Sequence, residues 1–511
     1  VFSHLARQAK SEGASFGRAL GFNTLGAAVA PPIFGVLLAP LLGAKTTLIL
    51  IAFCYVALTS RATRFTPVAV VPAGIAVAMG LLAPRLAFVD VPDGGRVVSY
   101  EEGTTAAVSV VADERGVSRL RIDNRAQEGS SATRFVDARQ ALLPMLLHPA
   151  PRRALFLGLG TGVTASSAAE ETDVQVDAVE LLPEVIAASQ HFTQAFNGGS
   201  PDPRLHVIAA DARRYVRVTR QHYDVIVADN FHPARSGSGA LYTIEHFAAV
   251  RDRLAPAGLF CQWLPLHQLD LDTVRSIVRS FRAVYPGGWA LLASNSLQTP
   301  VLGLVARADG GRFDVASLRN RLARNGFAEP LTAFGIDDEF ALLGAFIAGP
   351  RALSRFAGTA PANTDDRPVV AYGAPRITYA PDSQPAQRLS ALLHELFLDP
   401  SELVESGIGS DWTQRLAAYD RARDRFIEAG RNVTPSTDAR AMLAQVQAPL
   451  LEVLRTSPEF RPAYDPLLRM ASALRRDDPE AARKLLDDLA LIQPARPEAR
   501  ALRSELVSLP R

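Results

Sequence analysis

A hydrophobic strand that runs into glycines, ALFLGLGTG (154–162), constrains this chain more than any other stretch. VTASSAAEE then opens a helix, and the next strand, VQVDAVEL (174–181), ends in an acidic residue. Twenty-two positions separate Gly158 from Glu180. In a doubly wound sheet, an acidic residue about 20 positions beyond the glycines bonds a ribose. Gly158, Gly160 and Gly162 let the backbone approach a ligand closely. Further strands are predicted at RLHVIAAD (204–211), YDVIVAD (223–229) and GLFCQWLP (258–265). Helical stretches PEVIAASQHF, RRYVRVT and TIEHFAAVRDRL separate them. This alternation predicts an α/β domain on a mostly parallel sheet. Ligands of such sheets bind at the carboxyl ends of strands, where Gly158, Glu180, Asp211 and Asp229 all fall. Their convergence points to a nucleoside-type ligand. Val163 stands where a dinucleotide fingerprint has its third glycine, which counts against a pyrophosphate-binding turn. Each acid also has a plainer reading: Glu180 as a strand-end cap, Asp211 as a helix N-cap, Asp229 as a cap of its own loop.

The N-terminus imposes a second constraint. Residues 19–44 carry no Asp, Glu, Lys or Arg; Lys45 interrupts, and 46–60 are again uncharged. A third uncharged run, Phe65 to Pro84, follows Arg61 and Arg64. A bilayer core takes about 20 apolar residues per helix. Three such runs joined by short loops predict a multi-pass membrane segment rather than a buried hairpin. Pro31-Pro32 and Pro40 are expected to kink it, and Gly21, Gly26, Ala27, Ala30 and Gly35 to allow close helix packing. More than one hydrophobic run fits a signal peptide poorly. The chain begins with Val1, and further helices are expected upstream. Counting Arg7, Lys10, Arg18, Arg61 and Arg64 as cytoplasmic would leave everything after Arg85 outside after three crossings. The chemistry below prefers the inside. The mean hydropathy of +0.09 therefore averages a lipid-compatible start and an ordinary soluble remainder.

Charge and cysteine content exclude other classes. Lys+Arg is 54 and Asp+Glu 52, a net charge of +2, which argues against nucleic acid as a partner. Two Cys exclude a disulfide-rich scaffold, and no metal site is expected. Between Arg96 and Ile122, VVSYEEG, TTAAVSVVAD and VSRLRID read as short strands, with ADERG (112–116) as a hairpin turn. From about 386 the chain turns helical. DPEAARKLLDDLALIQP resembles one helix pair of a tetratricopeptide-type repeat, a surface on which a protein partner could dock. The expected organisation is a partial transmembrane segment over 1–88, a small β subdomain and linker helix over 89–150, a catalytic domain over 151–380 and a helical, TPR-like region over 381–511.

Residues 96–375 resemble the spermidine synthase family of aminopropyltransferases, and more closely its bacterial branch fused to a multi-pass membrane segment. The resemblance rests on NTLGAAVAPPIFGVLLAPLLG (23–43), LGLGTGVTASSAA (157–169), VDAVEL (176–181), YDVIVADNFHP (223–233), LYTIEHFAAVRDRLAPAGLFCQWLPLH (241–267) and NTDDRPVVAY (363–372). It implies a Rossmann-like sheet of the adenosylmethionine-dependent methyltransferase type, behind a small N-terminal β subdomain. It further implies that Glu180 binds the ribose of decarboxylated S-adenosylmethionine, that Asp211 and Ala212 contact the adenine, and that Gln127 lies near the donor. Asp229 would deprotonate the attacking amine. The donor is a co-substrate rather than a permanently bound cofactor, and the acceptor is a small amine. The implied location is the bacterial inner membrane with a cytoplasmic catalytic domain, and the implied assembly a homodimer.

The sequence departs from that family in its amine-binding acids. Thr161 stands in place of the aspartate that holds the donor's amino group. Ala132, Thr133 and Val136 replace an Asp-Glu pair and a tyrosine, and His232 replaces a second loop aspartate. Trp263 and Leu264 follow Gln262 where an acid is expected. His232 is a candidate second base or an acceptor contact. These changes keep two other readings open: another S-adenosylmethionine-dependent transferase (methyl or aminocarboxypropyl), and a membrane protein that binds an adenosyl ligand without turnover.

Overall fold

The computed structural model describes residues 7, 10, 11, 13, 15–58, 66–82, 86–124, 126–193, 202–324, 326, 327, 329–380 and 383–507, with the side chains of 126–128 and 507 excepted. Arg61, Arg64 and Arg85, on which the expected topology rests, lie outside the described residues. The chain divides into two compact units, one of residues 1–132 with 182–192, the other of 133–181 with 193–511.

In the first unit, α1 runs Phe16–Ala57 and α2 runs Pro67–Leu82. Ser15 starts α1, its hydroxyl accepting from the Arg18 amide at 3.3 Å. Pro31 and Pro32 lack amide protons, and the ladder widens into a π-helical segment, Pro31–Leu38. The expected interruption at Lys45 lies instead at Gly43, whose backbone (φ 78°, ψ 160°) leaves the helical region that Lys45 keeps. The first two apolar runs thus form two helical segments that meet at a kink at Gly43, together spanning 42 residues, with no loop at Lys45. Among the described residues α1 is the one helix long and apolar enough to cross a membrane; α2, at 16 residues, falls short. Both helices turn large apolar side chains outward, among them Phe22, Leu41, Tyr55, Val68 and Leu82.

The same unit holds a four-stranded antiparallel sheet in chain order: β1 Arg96–Glu102, β2 Ala107–Ala112, β3 Ser118–Ile122 and β4 Ala126–Ser130. Asp113 closes the turn between β2 and β3 by accepting from the Arg115 and Val117 amides at 3.0 and 2.9 Å. β4 extends the sheet beyond the three expected strands. AQEGS has no apolar alternation to announce it.

The second unit begins with α3, Arg134–Leu147, and is built on eight strands. These are β5 Arg153–Leu157, β6 Gln175–Glu180, β7 Leu205–Ala209, β8 Tyr223–Ala228, β9 Leu254–Pro265, β10 Trp289–Leu292, β11 Val301–Arg307 and β12 Phe346–Ala348. Their order is β12-β10-β11-β9-β8-β5-β6-β7, with β9, β8, β5, β6 and β7 mutually parallel. From β5 the chain winds outward through β6 and β7, then returns to β8 on the other side. The crevice between β5 and β8 is therefore the topological switch point, where such sheets bind ligands. Strands β10 to β12 add an antiparallel edge beyond the expected strands.

Helices α4 Val163–Ala169, α5 Pro183–Thr193, α6 Ala212–Val218, α7 Ile244–Arg251 and α8 Leu271–Val284 follow successive parallel strands. α8 shows why these segments are helical. Asp270 caps it by accepting from the Thr273 amide at 2.8 Å, and Val274, Ile277, Val278 and Phe281 fall on one fully buried stripe. Phe281 meets Phe247, Phe260 and Tyr285 at ring-centroid distances of 5.6, 6.2 and 5.1 Å. Each buried side chain of this size contributes about 1.5–3 kcal/mol. A helical tail follows, with α9 Ser410–Arg431, α10 Ala439–Thr456, α11 Arg461–Leu474, α12 Pro479–Ile492 and α13 Glu498–Val507, each packing on the next.

Candidate functional site

The glycine turn after β5 is shaped by its neighbours. Gly158, Gly160 and Gly162 all take positive φ, at 93°, 52° and 78°. A Cβ on Gly158 would sit 3.0 Å from the Phe231 ring and 3.1 Å from the Asp229 Cβ. Only glycine lets the turns after β5 and β8 meet there. Beside it, the Leu159 amide donates to Glu180 Oε2 at 3.1 Å, which fixes the carboxylate at the end of β6 against the glycine turn. Thr161 is buried within the turn.

Asp211 stands exposed at the head of α6 and accepts from the Arg214 amide at 2.7 Å, so the N-cap reading describes its geometry; Ala212 is the first residue of that helix and half-buried. Gln127 lies on β4 opposite Arg121, and its side chain is outside the described residues. The site residues that the structure brings into contact are therefore Gly158 with Asp229 and Glu180 with the glycine turn.

Asp229 follows β8, its amide donating to the Leu157 carbonyl at 2.9 Å. Its Oδ1 accepts from the Asn230 amide at 2.7 Å, and its carbonyl from the Phe231 amide at 2.9 Å. A second carboxyl, missed in the sequence, faces this loop from α3. Asp137 is pushed up to about 7 by burial, with the Asp229 charge adding to the rise and a hydrogen bond from the Thr133 hydroxyl, 2.9 Å long, opposing it. The family pattern directs attention to Ala132, Thr133 and Val136. An acid one position past Val136 carries no signal until α3 is packed against the sheet.

Beyond Asp229 stand two buried imidazoles. Burial, aided by Arg235, holds His232 down at about 4. His267 is likewise held at about 4 by burial, then by Arg388 and His232. Both imidazoles are neutral at pH 7. The His232 ring lies 6.1 Å from that of Tyr379, and Gln268 Nε2 lies 3.1 Å from His267 Nε2. Asn230 Oδ1, His232 Nδ1, Gln262 Oε1, His267 Nδ1 and Gln268 Oε1 are buried with no hydrogen-bond partner among the described residues. Buried polar atoms in native proteins are satisfied, so this cluster suits a polar ligand. Trp263 is a packing residue, its indole donating to the Gln140 carbonyl at 2.9 Å and so tying β9 to α3.

The segment NTDDRPVVAY holds the surrounding loops. The Asn363 side chain donates to the Gly239 carbonyl at 2.9 Å and accepts from the Val370 amide at 3.2 Å. Asp365 pairs with Arg213 and Arg217 on α6.

Residues 140–293 match the family model described as the spermine/spermidine synthase domain. A polyamine aminopropyltransferase of Thermotoga maritima is 30% identical over 162 residues, which is 29% of this chain and 55% of that protein. One from a Synechococcus strain is 34% identical over 154 residues (27% and 49%), and a spermidine synthase of Dictyostelium discoideum is 27% identical over 145 residues (28% and 52%). The chain thus spans about half the length of the relatives it matches. The crystal structure of spermidine synthase from Thermotoga maritima aligns over 52% of this chain and 87% of its own, at 21% identity and a TM-score of 0.42.

Proposed function

We propose, from a central segment that matches the spermine/spermidine synthase domain, that this chain is a membrane-attached transferase of the aminopropyltransferase kind, acting on an adenosyl sulfonium donor. Its reaction is transfer of an aminopropyl group from decarboxylated S-adenosylmethionine to an amine. The observation that carries this reading is the meeting of Asp229, Gly158 and the Glu180-braced turn at the switch point, with Asp137 beside Asp229. Glu180 would hold the ribose, and Asp211 and Ala212 would approach the adenine. The acceptor nitrogen attacks the carbon next to the sulfonium. The C–S bond breaks with its electron pair passing to sulfur, methylthioadenosine leaves, and Asp229 takes the proton from nitrogen. Carboxylates at this point also favour the cationic donor and amine.

His232 contributes differently from a second base. An imidazole held at about 4 takes up protons weakly at pH 7 but accepts a hydrogen bond well. We assign it, with His267, to the wall of the acceptor pocket. Thr161 and these neutral imidazoles favour a second reading as well, a transferase that uses ordinary S-adenosylmethionine, whose carboxylate an aspartate at 161 would repel. The apolar exterior of α1 supports attachment to a lipid bilayer.

Calorimetry on the purified full chain with methylthioadenosine and with S-adenosylmethionine tests the donor site. Saturable binding of either is expected, and absence of both would remove the transferase readings together.

A further inference from the structure

A cavity of about 520 Å³ opens within the second unit, away from the switch point. Its walls come from α3, the segment after β10, the turn at 332–335, and tail helices α9 and α11. The volume falls in the range of small-molecule sites, about 300–1,000 Å³. α3 separates it from the site described above, since Phe135, Val136 and Arg139 line the cavity while Asp137 faces Asp229.

Charge is unevenly compensated around this cavity. Four arginines line it, at 139, 423, 461 and 469, against one carboxylate, Asp465. Arg423 is answered from behind by Asp420 and Asp424, and Arg461 by Asp465, Asp337 and Glu498. Arg139 and Arg469 have no carboxylate partner among the described residues. Arg139 is nine-tenths buried. Its Nε donates to the Ala293 carbonyl at 2.6 Å and its Nη1 to the Phe334 carbonyl at 2.7 Å, while Nη2 has no hydrogen-bond partner among the described residues. Burial lowers its affinity for a proton, the mark of a cation short of counter-charge. Arg469 stands exposed at the rim. The partners of Arg139 are neutral, the carbonyls of Ala293, Phe334 and Gly335 and the Phe135 ring, and a buried cation answered only by neutral groups is stabilised by an anion brought against it. The rest of the lining includes the rings of Tyr419, Phe426 and Phe460, an apolar surface for the body of a ligand.

We propose that this cavity, with Arg139 at its base and Arg469 at its rim, binds a small organic anion, a carboxylate or phosphate ester carrying an aromatic or aliphatic body. The site is separate from the adenosyl site and joins the sheet domain to the helical tail through one ligand.

Phenyl phosphate titrated into the full chain in mild detergent tests this, with benzyl alcohol as the neutral control. Saturable binding of phenyl phosphate in the millimolar range or tighter is expected, with benzyl alcohol bound at least about tenfold more weakly. Arg469→Glu, at an exposed position that folding tolerates, should weaken phenyl phosphate by about tenfold or more. Arg139→Gln should do the same in a sample whose circular dichroism matches the parent. Glu180→Gln should leave phenyl phosphate binding unchanged. The proposal is overturned by a lack of saturable binding, by equal binding of benzyl alcohol, by indifference to Arg469→Glu, or by displacement with methylthioadenosine.

Discussion

Glu180 and Asp211 sit at the ends of β6 and β7 and each accept a backbone amide, while on the other side of β5 the Asp229 loop leads to His232 and His267, buried imidazoles held near 4. One side of the sheet edge keeps carboxyl acceptors fixed by backbone amides. The other keeps neutral polar atoms, several with no hydrogen-bond partner among the described residues. Asp229 and Asp137 stand at the boundary. Under the proposed function these would be the nucleoside half and the acceptor half of one site, free to vary independently. The first is set by a glycine turn and one carboxylate, the second by side chains from several loops that change without disturbing the sheet.

Substitutions on each side should have separable consequences. Asp229→Asn should have the largest effect, a loss of turnover of about 10³-fold with donor binding retained, since a base acts on the acceptor's proton. Product formation unchanged in that variant would remove Asp229 from the chemistry. Gly158→Ala should cost donor affinity by about 100-fold, because its Cβ meets Phe231 and Asp229 at a position with φ of 93°. Calorimetry with methylthioadenosine reads this directly. Glu180→Gln should weaken the same ligand by about tenfold or more while sparing the acceptor, the scale of one charge-assisted hydrogen bond.

The boundary has its own signature. Asp137 is half-protonated near pH 7, and a sulfonium placed beside it should drive that proton off. Binding of S-adenosylmethionine at pH 7 should release up to about half a proton, seen as a dependence of the binding enthalpy on buffer ionisation heat. Neutral methylthioadenosine should release none, and Asp137→Asn should abolish the effect. Equal proton release by both ligands would break the assignment.

The smallest expected effect concerns stability. His148, His232, His246 and His267 are all held below the ordinary imidazole value, burial being the main cause for each. The unfolded chain therefore binds protons more readily than the folded one below about pH 6.5. The stability these neutral imidazoles contribute is complete above that pH and is lost as pH falls from there through about 4 for His232 and His267 and about 3 for His246. Thermal melts should drop by about 5 °C or more between pH 6.5 and pH 4.5, and less in His232→Gln.

The sheet was legible in the sequence where a rule of spacing governs it. Gly158, Glu180 and the apolar runs of β5, β6 and β8 announce a doubly wound sheet, because glycine geometry and burial on both faces restrict what can stand there. β4 and β10 were not legible, since AQEGS and WALL are too short or too polar to show a period. The break at Gly43 was hidden by the more conspicuous charge of Lys45. Asp137 illustrates a third limit. Its importance comes from α3 packing beside the Asp229 loop, a tertiary event that no local pattern around position 137 encodes.

If Asp229 and its neighbours move an aminopropyl group from a sulfonium to an amine, incubating the full chain with decarboxylated S-adenosylmethionine and putrescine and weighing the products should show it. Methylthioadenosine is expected together with an acceptor heavier by one aminopropyl group, both absent in Asp229→Asn. Methylthioadenosine without a modified amine, or product formed only from S-adenosylmethionine, would contradict it.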